Sequence, residues 1–217
     1  MQFTGLAAGL VVPGLIVLVL GLRMLWRGGW FMVWLRATCG LCLIALAALC
    51  ALLAYDLGTY REQQSGQSIA QLEVGNGDQG RHRVTLSDGR QVHQFLLDGE
   101  LWGLDVQQLD WRGLASLIGL KPGYRLFAAN ARFLSIEQQN LARYQEQPLS
   151  RSLLGVDLWQ WLQQAGGRVA LVEADLTRLN FIPLVEGARY SVEWLPTGLQ
   201  ARPQNDIARE ALSNWVE

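Results

Sequence analysis

The sequence predicts an α+β protein in three parts: a transmembrane helical hairpin over residues 1–57, a tether over 58–67, and a mainly antiparallel β domain over 68–217, sandwich- or barrel-like, with two or three short helices. Three observations predict it. Gly5 to Leu22 carries no charged residue, and from Trp30 to Tyr55 the only charge is Arg36. Beyond Ser68 the apolar residues alternate with a period of two between closely spaced turn signals, with no βαβ rhythm.

The first apolar run is long enough, at about 1.5 Å per residue, to cross the hydrocarbon of a bilayer. The second has similar reach. Both are too long and too uniformly apolar to be core helices of a small soluble domain, and helix is the form expected where lipid offers the backbone no hydrogen-bond partner. Arg23, Arg27 and Arg36 lie in or beside the connecting turn, whereas Met1–Thr4 has no side-chain charge and the far flank opens with Asp56 and Arg61-Glu62. The positive-inside bias places the turn in the cytoplasm and both termini on the other side. Trp26, Trp30, Phe31 and Trp34 fit an interfacial aromatic belt beside the arginines, and Tyr55 and Tyr60 fit the opposite interface. Arg36 can snorkel to the headgroups and reads as an anchor. A cleaved signal peptide is disfavoured, because there is no basic n-region and no small-x-small site before Arg23.

Gly5 and Gly9 form a G-x-x-x-G pair suited to close helix approach, within the hairpin or between two copies. Pro13 removes a backbone donor and predicts a kink. Ala45, Ala47, Ala48, Ala51 and Ala54 give the second span small residues for tight packing. All three cysteines, Cys39, Cys42 and Cys50, lie in that span. Cys39-Gly-Leu-Cys42 lacks the strand-to-helix context of a redox motif and reads as packing residues.

About 150 residues remain, enough for one domain with its own core. Only three of the 18 basic residues and one of the 19 acidic residues precede residue 58, so the remainder is mixed in sign and slightly acidic. No basic block suggests nucleic acid or an anionic membrane surface as a partner.

In chain order, Ile69, Leu72 and Val74 mark a strand, closed by the turn Gly75-Asn-Gly-Asp78. Arg81–Ser87 and Arg90–Leu97 flank Asp88-Gly89, a two-residue hairpin signal. Asp98-Gly99 precedes a long strand, Glu100–Trp111, with a bulge expected at Gly103. Arg112–Leu120 predicts one or two helical turns packed by Leu114, Leu117 and Ile118. Two strands are expected around Asn130, Tyr124–Ala129 and Arg132–Glu137, followed by a polar loop over Gln138–Ser150. Asp157 is the expected N-cap of a helix over Leu158–Ala165, ended by Gly166-Gly167. Arg168–Ala174, Phe181–Leu184, Ala188–Leu195 and Leu199–Ala201 predict further strands. Asn205 or Asp206 caps a last helix through Trp215, with Ile207, Ala208, Ala211, Leu212 and Trp215 inward.

Candidate chemistry is sparse. Trp102, Asp105, Asp110 and Trp111 share one strand, where carboxylates could serve as acid and base and the tryptophans could stack on a sugar. Together with Asp98 and Glu100 these acids also read as a turn and a solvent face. His82 and His93 sit on adjacent hairpin strands and could approach one another, with Asp88 or Asp98 as co-ligands, but the spacing matches no metal motif, so neither a metal nor a cofactor is expected. Trp159 and Trp161 read as helix core or a partner surface. No nucleophile elbow, phosphate-binding glycine loop or zincin motif is present.

The hairpin, together with Leu97-Asp-Gly-Glu-Leu-Trp-Gly-Leu-Asp-Val-Gln-Gln-Leu-Asp-Trp111, Leu120-Lys-Pro-Gly-Tyr-Arg-Leu126 and Leu199-Gln-Ala-Arg-Pro203, resembles a family of uncharacterised proteobacterial inner-membrane proteins, some automatically labelled cation or multidrug efflux pumps. The resemblance covers nearly the whole chain and implies a two-span bacterial inner-membrane protein with periplasmic termini; it brings no site residues. Two spans with no mid-membrane acid cannot by themselves couple ions or enclose a solute path. The expectation is therefore a membrane-anchored periplasmic binding or scaffold domain, accessory to a larger envelope or transport complex. Its partners would be the bilayer and another envelope protein or a second copy. The alternative is an envelope enzyme acting on glycan or lipid through the Trp102–Trp111 strand.

Overall fold

Two long helices open the chain, α1 (Gln2–Leu25), which runs through Pro13, and α2 (Trp30–Gly58). The computed structural model describes residues 2–25, 30–77, 81–141, 146–150, 157–166 and 171–216. Trp26 and Arg27 lie outside the described residues, as do the surroundings of Gly5 and the side chain of Trp30. The elements that follow are β1 (Arg61–Glu62), β2 (Ser68–Gly75), β3 (His82–Ser87), β4 (Val92–Leu97), β5 (Leu101–Trp111), α3 (Leu114–Leu117), β6 (Gly123–Arg132), α4 (Ile136–Leu141), β7 (Glu146–Pro148), α5 (Leu158–Ala165), β8 (Val172–Arg178), β9 (Ile182–Pro183), β10 (Arg189–Leu195), β11 (Gly198–Pro203) and α6 (Asp206–Val216). The chain is α+β, with antiparallel sheets after the apolar helices.

The chain divides into two units. The first takes Met1–Glu62, Leu109–Gly123 and Ser152–Ala174. In it α1 and α2 pack along a seam of small residues. A Cβ added at Gly14 would lie 3.7 Å from the Ala47 carbonyl oxygen and from Cys50 Cβ. One added at Gly21 would meet the Gly40 carbonyl oxygen at 3.2 Å and Leu43 Cβ at 3.3 Å. Gly40, Ala47 and Ala54, a heptad apart in sequence, are buried. Absent side chains let the two backbones approach, which is how helices associate where the solvent is as apolar as their surfaces. Gly9 takes no part in this seam: its Cβ position meets nothing within 4 Å. Val12, Leu15, Ile16 and Val19 on α1 are exposed, as are Met32, Trp34, Leu41 and Leu46 on α2. Met32–Gly58 is long and apolar enough to cross a membrane, and Val11–Arg23 is a shorter apolar stretch.

A second cluster in this unit joins Leu57, Tyr60, Leu109 and Ala174, with Trp111, Leu158, Trp159, Leu162 and Val172 packed against it. Tyr60, expected at a membrane interface, is therefore buried, while Tyr55 is exposed. The helix α5 starts and ends where its sequence says it should. The Asp157 carboxylate accepts from Trp159 N at 2.9 Å and Gln160 N at 3.4 Å, and Gly166 closes the helix in the left-handed region. Leu158, Trp159 and Leu162 pack inward. Trp161 is exposed.

The second unit takes Gln63–Gln108, Tyr124–Arg151 and Asp175–Glu217. One of its sheets has the order β11-β10-β2-β3-β4, every neighbouring pair antiparallel. Asp88 makes the β3–β4 turn, its Oδ1 accepting from Arg90 N at 2.8 Å and Gln91 N at 2.7 Å. In the other, β5 lies between β6 and β8, with β7 on β6 and β9 on β5. A single core draws Ile69, Leu72, Val74, Val84 and Leu86 from the first sheet and Trp102, Leu104, Val106 and Leu126 from the second. On α6, Ala208 is fully buried, and Asn205 caps the helix by accepting from Ala208 N at 3.0 Å. Ile207 and Trp215, expected inward, are exposed.

Several local expectations are corrected. Asn130 does not separate two strands: β6 runs unbroken through it, because pairing to Glu146 on β7 outweighs the turn preference of asparagine. The strand expected at Arg132–Glu137 is a bend leading into α4. The following loop contains the end of α4 and the strand β7. At α3 and its C-cap, Leu114, Leu117 and Ile118 do not pack inward; all three are exposed, and Ala115 is the buried residue of that turn.

Candidate functional site

The residues expected to bind a ligand lie along β5, and the strand does not gather them. Trp102 is 0% exposed, its ring 5.8 Å from that of Tyr190 in the core. It offers no face on which a sugar could stack. Asp105 is 3% exposed and its two oxygens accept from Arg178 Nε and Nη2 at 2.6 and 2.7 Å. Such a bidentate pair holds the carboxylate as a structural acceptor. Asp110 and Trp111 belong to the first unit, where Trp111 packs on the Leu57–Tyr60 cluster.

What β5 does build is a row of polar pairs within the second unit. Next to Asp105–Arg178, Gln107 Oε1 accepts from Arg125 Nε at 3.0 Å and Nη2 at 2.6 Å, both residues buried. Thr177 Oγ1 donates to Gln108 at 3.1 Å. Buried charge needs such partners, and these pairs fix the strand against its neighbours. Tyr190, whose hydroxyl donates to the Pro183 carbonyl at 2.9 Å, is pushed up to about 12 by burial and stays neutral.

The two histidines do not meet. His82 pairs with Leu97 and His93 with Leu86, so they stand four register positions apart on the β3–β4 ladder, roughly 13 Å at the usual rise per residue. Among the described residues no group of three His, Cys, Asp or Glu side chains could hold a metal ion.

The site that sequence reasoning passed over is the end of α2. Asp56, the only acid in either long helix, is buried, and its Oδ2 accepts from Leu158 N at 3.0 Å, at the start of α5. Thr59 N and Oγ1 both donate to the Asp56 carbonyl, at 3.0 and 2.7 Å, closing the helix. Lys121 pairs with Glu62 just beyond. A carboxylate facing the N-terminus of a helix is favoured by the unpaired amides there. The last turn of the apolar helix is thereby stitched to a folded polar segment more than a hundred residues away in sequence. The signal was present: a lone acid at the end of an uncharged run. At the other end of α2, Trp34 is exposed and Arg36, two residues on, is half-buried. Arg23, in the last turn of α1, is exposed.

Compared with protein-family models, with curated proteins and with solved structures, the chain matches none.

Proposed function

We propose that the chain is a two-span protein of the bacterial inner membrane, of the kind its sequence resembles, with its turn in the cytoplasm. Its β-rich part is a periplasmic binding or scaffold domain, closed as a sandwich, that serves as an accessory subunit of a larger envelope or transport complex. One observation carries this reading. The α1–α2 pair exposes large apolar side chains along its length, while the last turn of α2 is bonded into a folded segment through Asp56. Helices apolar all round suit lipid and are a liability in water. Arg23, Arg36 and Asp56 are the only charges in the two helices, and Asp56 sits at an end, already engaged by Leu158. Neither span supplies the mid-membrane acid that an ion-coupled carrier uses. The burial of Trp102 and the engagement of Asp105 by Arg178 leave the glycan-enzyme alternative without a supporting observation.

Topology is tested by fusing alkaline phosphatase, active only outside the cytoplasm, and a green fluorescent reporter, bright only inside, after Glu217. Phosphatase activity with a dark fluorescent fusion is expected; the opposite pattern refutes the envelope assignment. Extraction of native membranes in mild detergent tests the accessory role. Migration with a larger protein is expected, and a lone monomer counts against it.

A further inference from the structure

Three of the four most exposed large apolar side chains among the described residues (the fourth is Ile136) lie at the turn α3: Leu114 at 71%, Leu117 at 79% and Ile118 at 77%. They occupy positions i, i+3 and i+4, one face of a single helical turn, while Ala115 faces inward. Gly113 and Gly119 bracket the turn with φ of 60° and 85°, a backbone region that side chains disfavour, and this confines the three residues to one compact projection. Part of the backbone of the projection is satisfied from within. The amides of Leu117, Ile118, Gly119 and Leu120 donate to Gly113, Leu114, Ser116 and Ala115, and Ser116 Oγ donates to Gly113 O at 2.9 Å. Each such bond lowers the cost of leaving water, since lipid cannot hydrogen-bond.

Its position follows from contacts inside the first unit. Just before the turn, Trp111 packs on the cluster of Leu57 and Tyr60. Just after it, Lys121 pairs with Glu62. The far flank is thus held by Glu62, just past the end of α2, and the near flank packs on the cluster to which Leu57 and Tyr60 belong. Arg112, paired with Glu173, and Lys121, paired with Glu62, flank the three apolar residues in the sequence.

We propose that α3 is a lipid-contact wedge, with Leu114, Leu117 and Ile118 entering the headgroup–acyl boundary of the bilayer that α2 crosses. The inference rests on α2 being in the membrane and goes beyond it. It makes the bilayer surface a second docking site, which fixes how the segment joined to α2 meets the membrane.

The test uses the full chain in nanodiscs of phosphatidylethanolamine and phosphatidylglycerol, with nitroxide labels read by collision with oxygen, which concentrates in acyl chains, and with a water-soluble nickel chelate. Cys39, Cys42 and Cys50 are replaced by alanine, and single labels are placed at Leu117→Cys and Ile118→Cys. A separate chain keeps Cys42, exposed on α2, as the labelled site. The wedge predicts that both α3 labels collide more with oxygen than with the chelate. Dominance of the chelate puts the turn in water and overturns the proposal. Low collision with both reagents means that a second copy or another protein covers the turn, and overturns it equally. An oxygen-dominated Cys42 label beside chelate-dominated α3 labels sinks the wedge alone; a chelate-dominated Cys42 label sinks the membrane-spanning reading and the wedge with it.

Discussion

At Asp105 a carboxylate almost wholly out of water receives two hydrogen bonds from Arg178, whose own side chain is half-exposed. The two partners are therefore not equivalent. Arg178→Ala strands the carboxylate in a dry place, whereas Asp105→Asn frees a guanidinium that water can reach. The arginine variant is expected to lose about 3–5 kcal/mol and the asparagine variant about 1–3 kcal/mol, read as thermal or chemical unfolding of the full chain in detergent. Equal losses would contradict the asymmetry. Tyr190 carries a pH dependence of its own. Its phenol is raised from about 10 in the unfolded chain to about 12 when folded. A raised value means that its contribution is whole below the unfolded value and is lost as pH climbs through the folded one. Stability should therefore fall between pH 10 and 12, and Tyr190→Phe should flatten that part of the profile, at the cost of the bond to Pro183. These environments were not legible in the sequence: Asp105 and Trp102 looked like a polar face beside an aromatic platform, because alternation along a strand does not say that both faces are covered.

Among the elements, the helix pair shows a seam that the Gly5–Gly9 motif did not mark. Gly5 and Gly9 match a familiar interface pattern, but the close approach runs through Gly14 and Gly21 against Gly40 and Ala47. The reason is geometric: a seam between nearly straight helices recurs every seven residues, and Gly14, Gly21, Gly40, Ala47 and Ala54 keep that repeat. Gly21→Leu should overpack the seam by about 1–3 kcal/mol and Gly9→Leu should be nearly neutral, compared by SDS titration in mixed micelles. A destabilised Gly9 variant would mean that its open face is occupied in the membrane. Elements whose signals are local were readable: α5 between Asp157 and Gly166, the Asp88-Gly89 hairpin, and the Asn205 cap of α6. The error at Asn130 has the opposite origin, since a distant strand supplied the partner that kept β6 continuous.

For the whole molecule, the end of α2 belongs to one unit with segments far along the chain. The sequence places it in a tether ending at residue 67, yet Asp56, Leu57 and Tyr60 pack with residues near 109, 158 and 174 in one unit. A fragment beginning at residue 68 lacks those side chains and leaves Trp111, Trp159 and Leu162 uncovered. It is expected to aggregate, while a fragment beginning at Asp56 keeps the cluster and remains in solution, as size-exclusion chromatography would reveal. Equal behaviour of both fragments would show that the cluster does not need the end of α2.

By itself, the sequence determined the apolar helices and the β-rich remainder, since both rest on composition and on periods of hydrophobicity that any stretch carries with it. It also determined the caps and tight turns, whose hydrogen bonds close over two or three residues. Only the tertiary structure decided which tryptophan is sealed in the core, which glycines touch, where the last turn of α2 is fastened, and that Leu114, Leu117 and Ile118 point outward. Each of these depends on a neighbour remote in the chain, and no local pattern records which neighbour arrives.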